Sequence, residues 1–109
     1  QAIAGFQNTQ FKLADMATEL EAARMMIHGA AAKLDAGAAD KTVACAMAKR
    51  FATDTGFNVC NDALQLHGGY GYLRDHPIER YMRDCRVHQI LEGTNEIMRV
   101  VISRQLLKD

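Results

Sequence analysis

Two short segments of this chain carry residue types that do chemistry. In Glu92-Gly93-Thr94-Asn95-Glu96, a carboxylate stands beside a glycine and just ahead of Thr94, a residue suited to cap a helix. So placed, Glu92 can present its side chain into a cleft. Buried there it can act as a base; solvated, it is only a favourable partner for the helix dipole. In Gln65-Leu66-His67-Gly68-Gly69-Tyr70-Gly71, three glycines fall within four residues. They permit close approach of backbone to a ligand, often a phosphate, and they equally serve as a plain helix end and turn. No strand precedes them, so they do not form a dinucleotide-binding glycine fingerprint.

Other candidates carry less. His88 and Glu92 form an i, i+4 pair of metal-ligand types, but the paired Glu-x-x-His motifs of a di-iron bundle are missing. No metal site is therefore expected. His28 reads as a satisfied or exposed histidine, and the six methionines read as core filler at helical spacing. Cys45, Cys60 and Cys85 are an odd number without CxxC or CxxH spacing, which suits free, mostly buried thiols in a reducing compartment. Arg74, Arg80, Arg83, Arg86, Arg99 and Arg104 alternate with acids, a pattern of ion pairs rather than of a nucleic-acid patch.

The elements that position these segments are helices. Of 109 residues, 49 % are apolar and 24 % charged, the balance of one globular domain. Thirteen basic residues cancel thirteen acidic ones, so no net field attracts nucleic acid or an anionic membrane. The longest run free of charge is eleven residues, short of the ~20 that a membrane span needs. Gln1 to Leu20 shows neither the basic start nor the apolar run of a signal peptide.

Pro77 is the only proline. Apolar spacing predicts a helix over Phe11 to Leu34, with Leu13, Met16, Ala17, Leu20, Ala23, Ile27, Ala30, Ala31 and Leu34 inward. Gly37 stops it, and Asp40 reads as the N-cap of a second long helix. That helix turns Ala44, Met47, Phe51, Thr55, Val59, Ala63 and Leu66 inward and stops at Gly68-Gly69. A shorter helix follows from Ile78 to about Arg86. Thr94 then caps a last helix from Asn95 to about Leu107, with Ile97, Val100, Val101 and Leu107 inward. The expected fold is an all-α antiparallel helical bundle of two long helices, one short and one terminal.

Taken together, the segments resemble a known family. Ala63-Leu64-Gln65-Leu66-His67-Gly68-Gly69-Tyr70-Gly71-Tyr72 is similar to an acyl-CoA dehydrogenase signature, and so is the stretch from Arg83 to Arg99 that contains Val87-His88-Gln89-Ile90-Leu91-Glu92-Gly93-Thr94. Gln10 to Ala17 resembles the start of that family's C-terminal helical domain. The wording around Glu92 is nearest to the short, branched-chain, isobutyryl-type branch. The isovaleryl-type and long-chain branches lack an acid at this position, so Glu92 favours the short-, medium- and isobutyryl-type branches.

The resemblance implies a catalytic base at Glu92, which abstracts the α-proton of an acyl-CoA thioester while the β-hydride passes to FAD. It implies that the Glu92 backbone N–H helps to stabilise the enolate and that Gly93 lines the substrate site. Gln65, Leu66, His67, Gly68 and Gly69 are implied to cradle the adenosine diphosphate part of an FAD held mainly by a neighbouring subunit. Thr94, Asn95 and Glu96 are implied to touch FAD after the base. An electron-transfer flavoprotein is the implied acceptor, a homotetramer the implied assembly, and the mitochondrial matrix or the bacterial cytoplasm the implied compartment.

The 109 residues are expected to form one domain, without the family's N-terminal helical and middle β domains. No turnover is expected of them alone, and an apolar face left uncovered is expected to drive self-association. A catalytically silent bundle used for assembly or interaction, and an acyl-CoA oxidase, are the alternatives.

Overall fold

The computed structural model describes residues 3–68 and 77–108. A 3₁₀ turn, Ile3–Gly5, leads into four helices: α1 (Gln7–Ala36), α2 (Lys41–His67), α3 (Ile78–His88) and α4 (Asn95–Leu106). No strand occurs among the described residues, and none of these helices is long and apolar enough to cross a membrane. The all-α expectation therefore holds. The first helix is longer than the apolar spacing implied, at 30 residues, because it continues through polar residues on both sides of the stripe.

The helix ends show which local signals act. Past α1, the N–H groups of Gly37 and Ala38 donate to the Leu34 and Lys33 carbonyls and close the last turn. Thr94 caps α4 as expected, its Oγ1 accepting from Ile97 N at 3.2 Å. Asp40 occupies the N-cap position of α2 as expected, its carbonyl accepting from Ala44 N at 3.0 Å, but its side chain makes no capping bond. Its backbone sits at φ −98°, ψ 17°, and its carboxylate takes the Lys33 ammonium across the hairpin instead. That hydrogen bond holds the Asp40 carboxyl below its usual 3.8.

The bundle is organised around α2. Helices α1, α3 and α4 each pack on it, and among the described residues none of the three packs on another. Lys49–Gly93, Asp54–Gln89 and Cys60–Cys85 contacts run in opposite chain directions, so α3 is antiparallel to α2. Between Val43 and Phe57 every residue of α2 is buried or half-buried. The molecule is a rod of 57 × 26 × 25 Å.

This arrangement corrects the expected core. On α1 only Thr9, Ala23 and Ala30 are buried, with Met16 half-buried between them. These positions recur every seven residues, the narrow seam that one partner helix covers. The rest of the stripe faces outward: Leu13, Leu20, Ile27 and Leu34 are 44–56 % exposed. On α4, Ile97, Val100 and Leu107 are also exposed rather than inward. Fully burying one such side chain is worth about 1.5–3 kcal/mol, which these positions forgo in the isolated chain. The expected uncovered apolar face is present. The three cysteines are free, as expected, but only half-buried.

Candidate functional site

The turn between α3 and α4 carries the candidate base. At the end of α3 the N–H groups of Ile90 and Leu91 both donate to the Val87 carbonyl, closing the helix. The chain then passes through Glu92 at φ 57° and Gly93 at φ 91°. Glu92 is the only described non-glycine residue in the left-handed region, a conformation that L side chains adopt rarely and at a cost. Gly93 takes a φ that favours glycine, and a Cβ there would stand 2.9 Å from the Met98 methyl, which would have to move aside.

Glu92 is exposed, and its carboxylate makes no hydrogen bond or ion pair with another described residue. Its backbone N–H is likewise absent from the backbone pairing of this turn. The residue stands on the wall of an open cavity of about 400 Å³, which lies where α1 and α4 diverge from α2. Leu34, Cys45, Ala46, Met98 and Val101 supply the apolar wall. Lys41, Lys49 and Glu92 are its charged members. In this chain the Glu92 carboxylate is solvated; once shielded from water, a carboxylate and an unpaired N–H beside an apolar hollow can take a proton from a bound group and steady the negative charge left behind.

Helix α2 holds this turn from behind. Lys49 Nζ donates to Gly93 O at 2.7 Å, to Asn95 Oδ1 at 2.7 Å and to Gln89 O at 3.4 Å. Asn95, 3 % exposed, donates through Nδ2 to Asp54 Oδ1 at 2.6 Å, Thr53 Oγ1 at 2.9 Å and the Arg50 carbonyl at 3.5 Å. Gln89 Nε2 donates to the same Asp54 oxygen at 2.7 Å. The other Asp54 oxygen faces Arg50 at 3.5 Å and Arg99 at 3.6 Å. Buried polar groups must be paired, and here each is.

The candidate cofactor residues divide into two places. Gln65, His67 and Gly68 are exposed at the end of α2, with Leu66 half-buried. The Ala63 carbonyl accepts from His67 Nδ1 at 2.8 Å, leaving Nε2 outward. Gly68 sits at φ 62°, ψ −142°, and a Cβ there would meet nothing within 4 Å, so backbone and ligand can come close. That exposed, open end suits the phosphate-bearing part of a nucleotide. Gly69 lies outside the described residues, as do Tyr70 to Tyr72.

Thr94, Asn95 and Glu96 are the second place, roughly 16–24 Å further back along α2 at 1.5 Å per residue, since Asn95 bonds to α2 residues from Lys49 to Asp54. Thr94 Oγ1 serves as the helix cap. Glu96 points to solvent, 3.8 Å from Arg99. The Asn95 amide, expected to touch a cofactor, is turned inward and bonded at both ends. The reason is burial, since an amide at this depth must be paired within the protein.

Of the arginines read as ion-pair scaffolding, Arg83 meets Glu79 at 2.6 Å, and Arg99 meets Asp54 and Glu96. Lys49, Thr53, Asp54 and Gln89 were not singled out from the sequence. For Lys49, Thr53 and Asp54 the signal was a cluster of polar residues in α2, and it becomes readable only once the middle of that helix is known to be enclosed.

With that geometry described, comparison with known proteins is informative. Residues 1–107 match the family "Acyl-CoA dehydrogenase, C-terminal domain". The mitochondrial isobutyryl-CoA dehydrogenases of Bos taurus and Dictyostelium discoideum are 56 % and 59 % identical over all 109 residues. The chain spans 26 % of the length of each. The solved butyryl-CoA dehydrogenase of Megasphaera elsdenii superposes with a TM-score of 0.95 at 42 % identity, covering 99 % of this chain and 28 % of that one. The chain belongs to the acyl-CoA dehydrogenase family, as a C-terminal helical domain.

Proposed function

We propose that this chain is the base-bearing part of an FAD-dependent acyl-CoA dehydrogenase that desaturates a short or branched acyl-CoA between its α and β carbons. The observation that carries the reading is Glu92, an unpaired carboxylate held in a strained turn on the wall of an apolar cavity. The α-proton of a thioester is a weak acid. A carboxylate removes it only where water is excluded and the enolate is stabilised. Glu92 takes that proton, its own N–H supports the enolate oxygen, and Gly93 leaves room for the thioester. Bound FAD supplies the acceptor for the β-hydride, so that the thioester loses one proton and one hydride and leaves as the enoyl-CoA.

For the flavin, Gln65, Leu66, His67, Gly68 and Gly69 hold the adenosine diphosphate part, while Thr94 and Glu96 meet it near the base. The separation of these groups along α2 fits a cofactor shared between subunits, and the exposed apolar faces of α1 and α4 fit a homo-oligomer, a tetramer in the whole protein. Electrons then pass to an electron-transfer flavoprotein. The compartment follows the source, the mitochondrial matrix in a eukaryote and the cytoplasm in a bacterium. Identity with the isobutyryl-CoA dehydrogenases supports a branched substrate.

The test is the visible spectrum of the full-length protein, recorded anaerobically before and after isobutyryl-CoA. The flavin band should bleach in the wild type, and bleaching should slow by roughly 10²–10⁴-fold in Glu92→Gln. Flavin that does not bleach redirects the substrate to other acyl-CoAs. Absence of flavin sinks the enzyme and leaves a silent bundle. Rapid reoxidation of the reduced flavin by air would make the protein an oxidase.

A further inference from the structure

We propose that Lys49 is a positioning residue for Glu92. Its ammonium holds the Gln89–Asn95 turn in the conformation that presents the Glu92 carboxylate and N–H to the cavity. The inference rests on Glu92 as base.

A residue at φ 57° does not stay there unaided, because relaxation of the turn relieves the strain. Glu92 has no bond of its own to resist that relaxation. What resists is the backbone bond from Asn95 N–H to Gln89 O at 3.1 Å, together with the three-way contact of Lys49 that spans Glu92: Gln89 O before it, Gly93 O and Asn95 Oδ1 after it.

An ammonium has three donors and no acceptor, and these three acceptors use it fully. The bond to Gly93 O fixes the plane of the peptide that follows Glu92. The bond to Asn95 Oδ1 leaves Nδ2 to face Thr53 and Asp54, which sets where α4 begins. Gln89 ends α3, so the cation also sits where the carbonyl end of that helix favours positive charge. Lys49 itself projects from the middle of α2, the most enclosed helix of the bundle, and the turn is thereby referenced to the core.

The test uses the full-length, flavin-loaded protein. Lys49→Met keeps the length of the side chain and removes the donors. Its kcat for isobutyryl-CoA should fall on the order of 10–100-fold, with KM and flavin content unchanged, because misplacing the base harms only the chemical step. Lys49→Arg keeps charge and donors in a different shape and should fall between the two. Exchange of the Asn95 amide hydrogen, which donates to Gln89 O, should quicken in Lys49→Met without any ligand.

Wild-type kcat in a folded Lys49→Met protein would overturn the proposal, and so would a loss confined to KM or flavin content. Should Lys49→Met not fold, Lys49→Arg decides by the same split: lowered kcat at unchanged KM supports the role, wild-type kcat overturns it. If the wild type itself does not turn over, the base reading alone fails. Asn95 exchange then judges the hold on the turn, with unchanged exchange overturning it and faster exchange supporting it.

Discussion

The two ends of the candidate site are built in opposite ways. The turn from Gln89 to Asn95 is tied to α2 by Lys49, Thr53 and Asp54, while the carboxylate of its strained residue, Glu92, bonds to no other described residue. Among the described residues, the end of α2, from Gln65 to Gly68, is held by bonds within its own helix, with the Gly68 N–H donating to Gln65 O. The difference fits the roles proposed for the two regions. A base acts over a fraction of an ångström, so its backbone has to be fixed before substrate arrives. A surface that receives part of a large cofactor needs open backbone and exposed polar groups, and the ligand can complete its order.

That contrast can be broken first at Asn95. Asn95→Ala leaves Lys49, Thr53 and Asp54 short of partners at a buried point, and should cost on the order of 3 kcal/mol in urea unfolding of the full-length protein. A cost near zero would mean that the turn is not held through α2. At the open end, Gly68→Ala places a side chain at φ 62°, ψ −142°, a conformation almost confined to glycine. About 2 kcal/mol of local strain is expected there. It should appear as weaker FAD retention on titration with little change in the bleaching rate of protein that has bound it. Thr94→Ala removes only the helix cap and should cost about 1 kcal/mol, read as a small shift of the unfolding midpoint.

An effect confined to high pH lies on the seam between the two regions. Burial pushes the Cys60 thiol from 9.0 up to about 12, helped by Cys85 Sγ at 3.4 Å. The folded protein keeps this proton while the unfolded chain loses it. The contribution is therefore whole below pH 9 and is lost as pH rises from 9 towards 12. Stability of wild type minus that of Cys60→Ala should fall across that window; a flat difference would contradict the shift.

Much of this was legible in the residues. Thr94 at the start of α4 and the stop after Leu34 are local signals, each satisfied within a few residues of chain. The position of Glu92 between two helices was equally local. Burial was not. The stripe Leu13, Leu20, Ile27, Leu34 has helical spacing whether or not a partner covers it, and here α2 covers only the line through Ala23 and Ala30. The Asp40 side chain looked like a capping group because the sequence cannot show that Lys33 comes back across the hairpin to take its carboxylate.

Asn95 is the sharpest case. It sits beside the base and next to an exposed acid, yet its amide turns inward, since Lys49 and Asp54 arrive from more than forty residues away.

The sequence by itself determined the helices, their ends and the residue types available for chemistry, because hydrogen bonding within a helix and capping at its termini involve near neighbours only. Tertiary structure alone decided which apolar faces are covered, which polar groups are consumed in holding a turn, and that Glu92 is left unpaired beside a cavity. Those outcomes depend on α2 standing at the centre of the bundle and meeting three helices at once, and such long-range packing leaves no periodic trace in the chain.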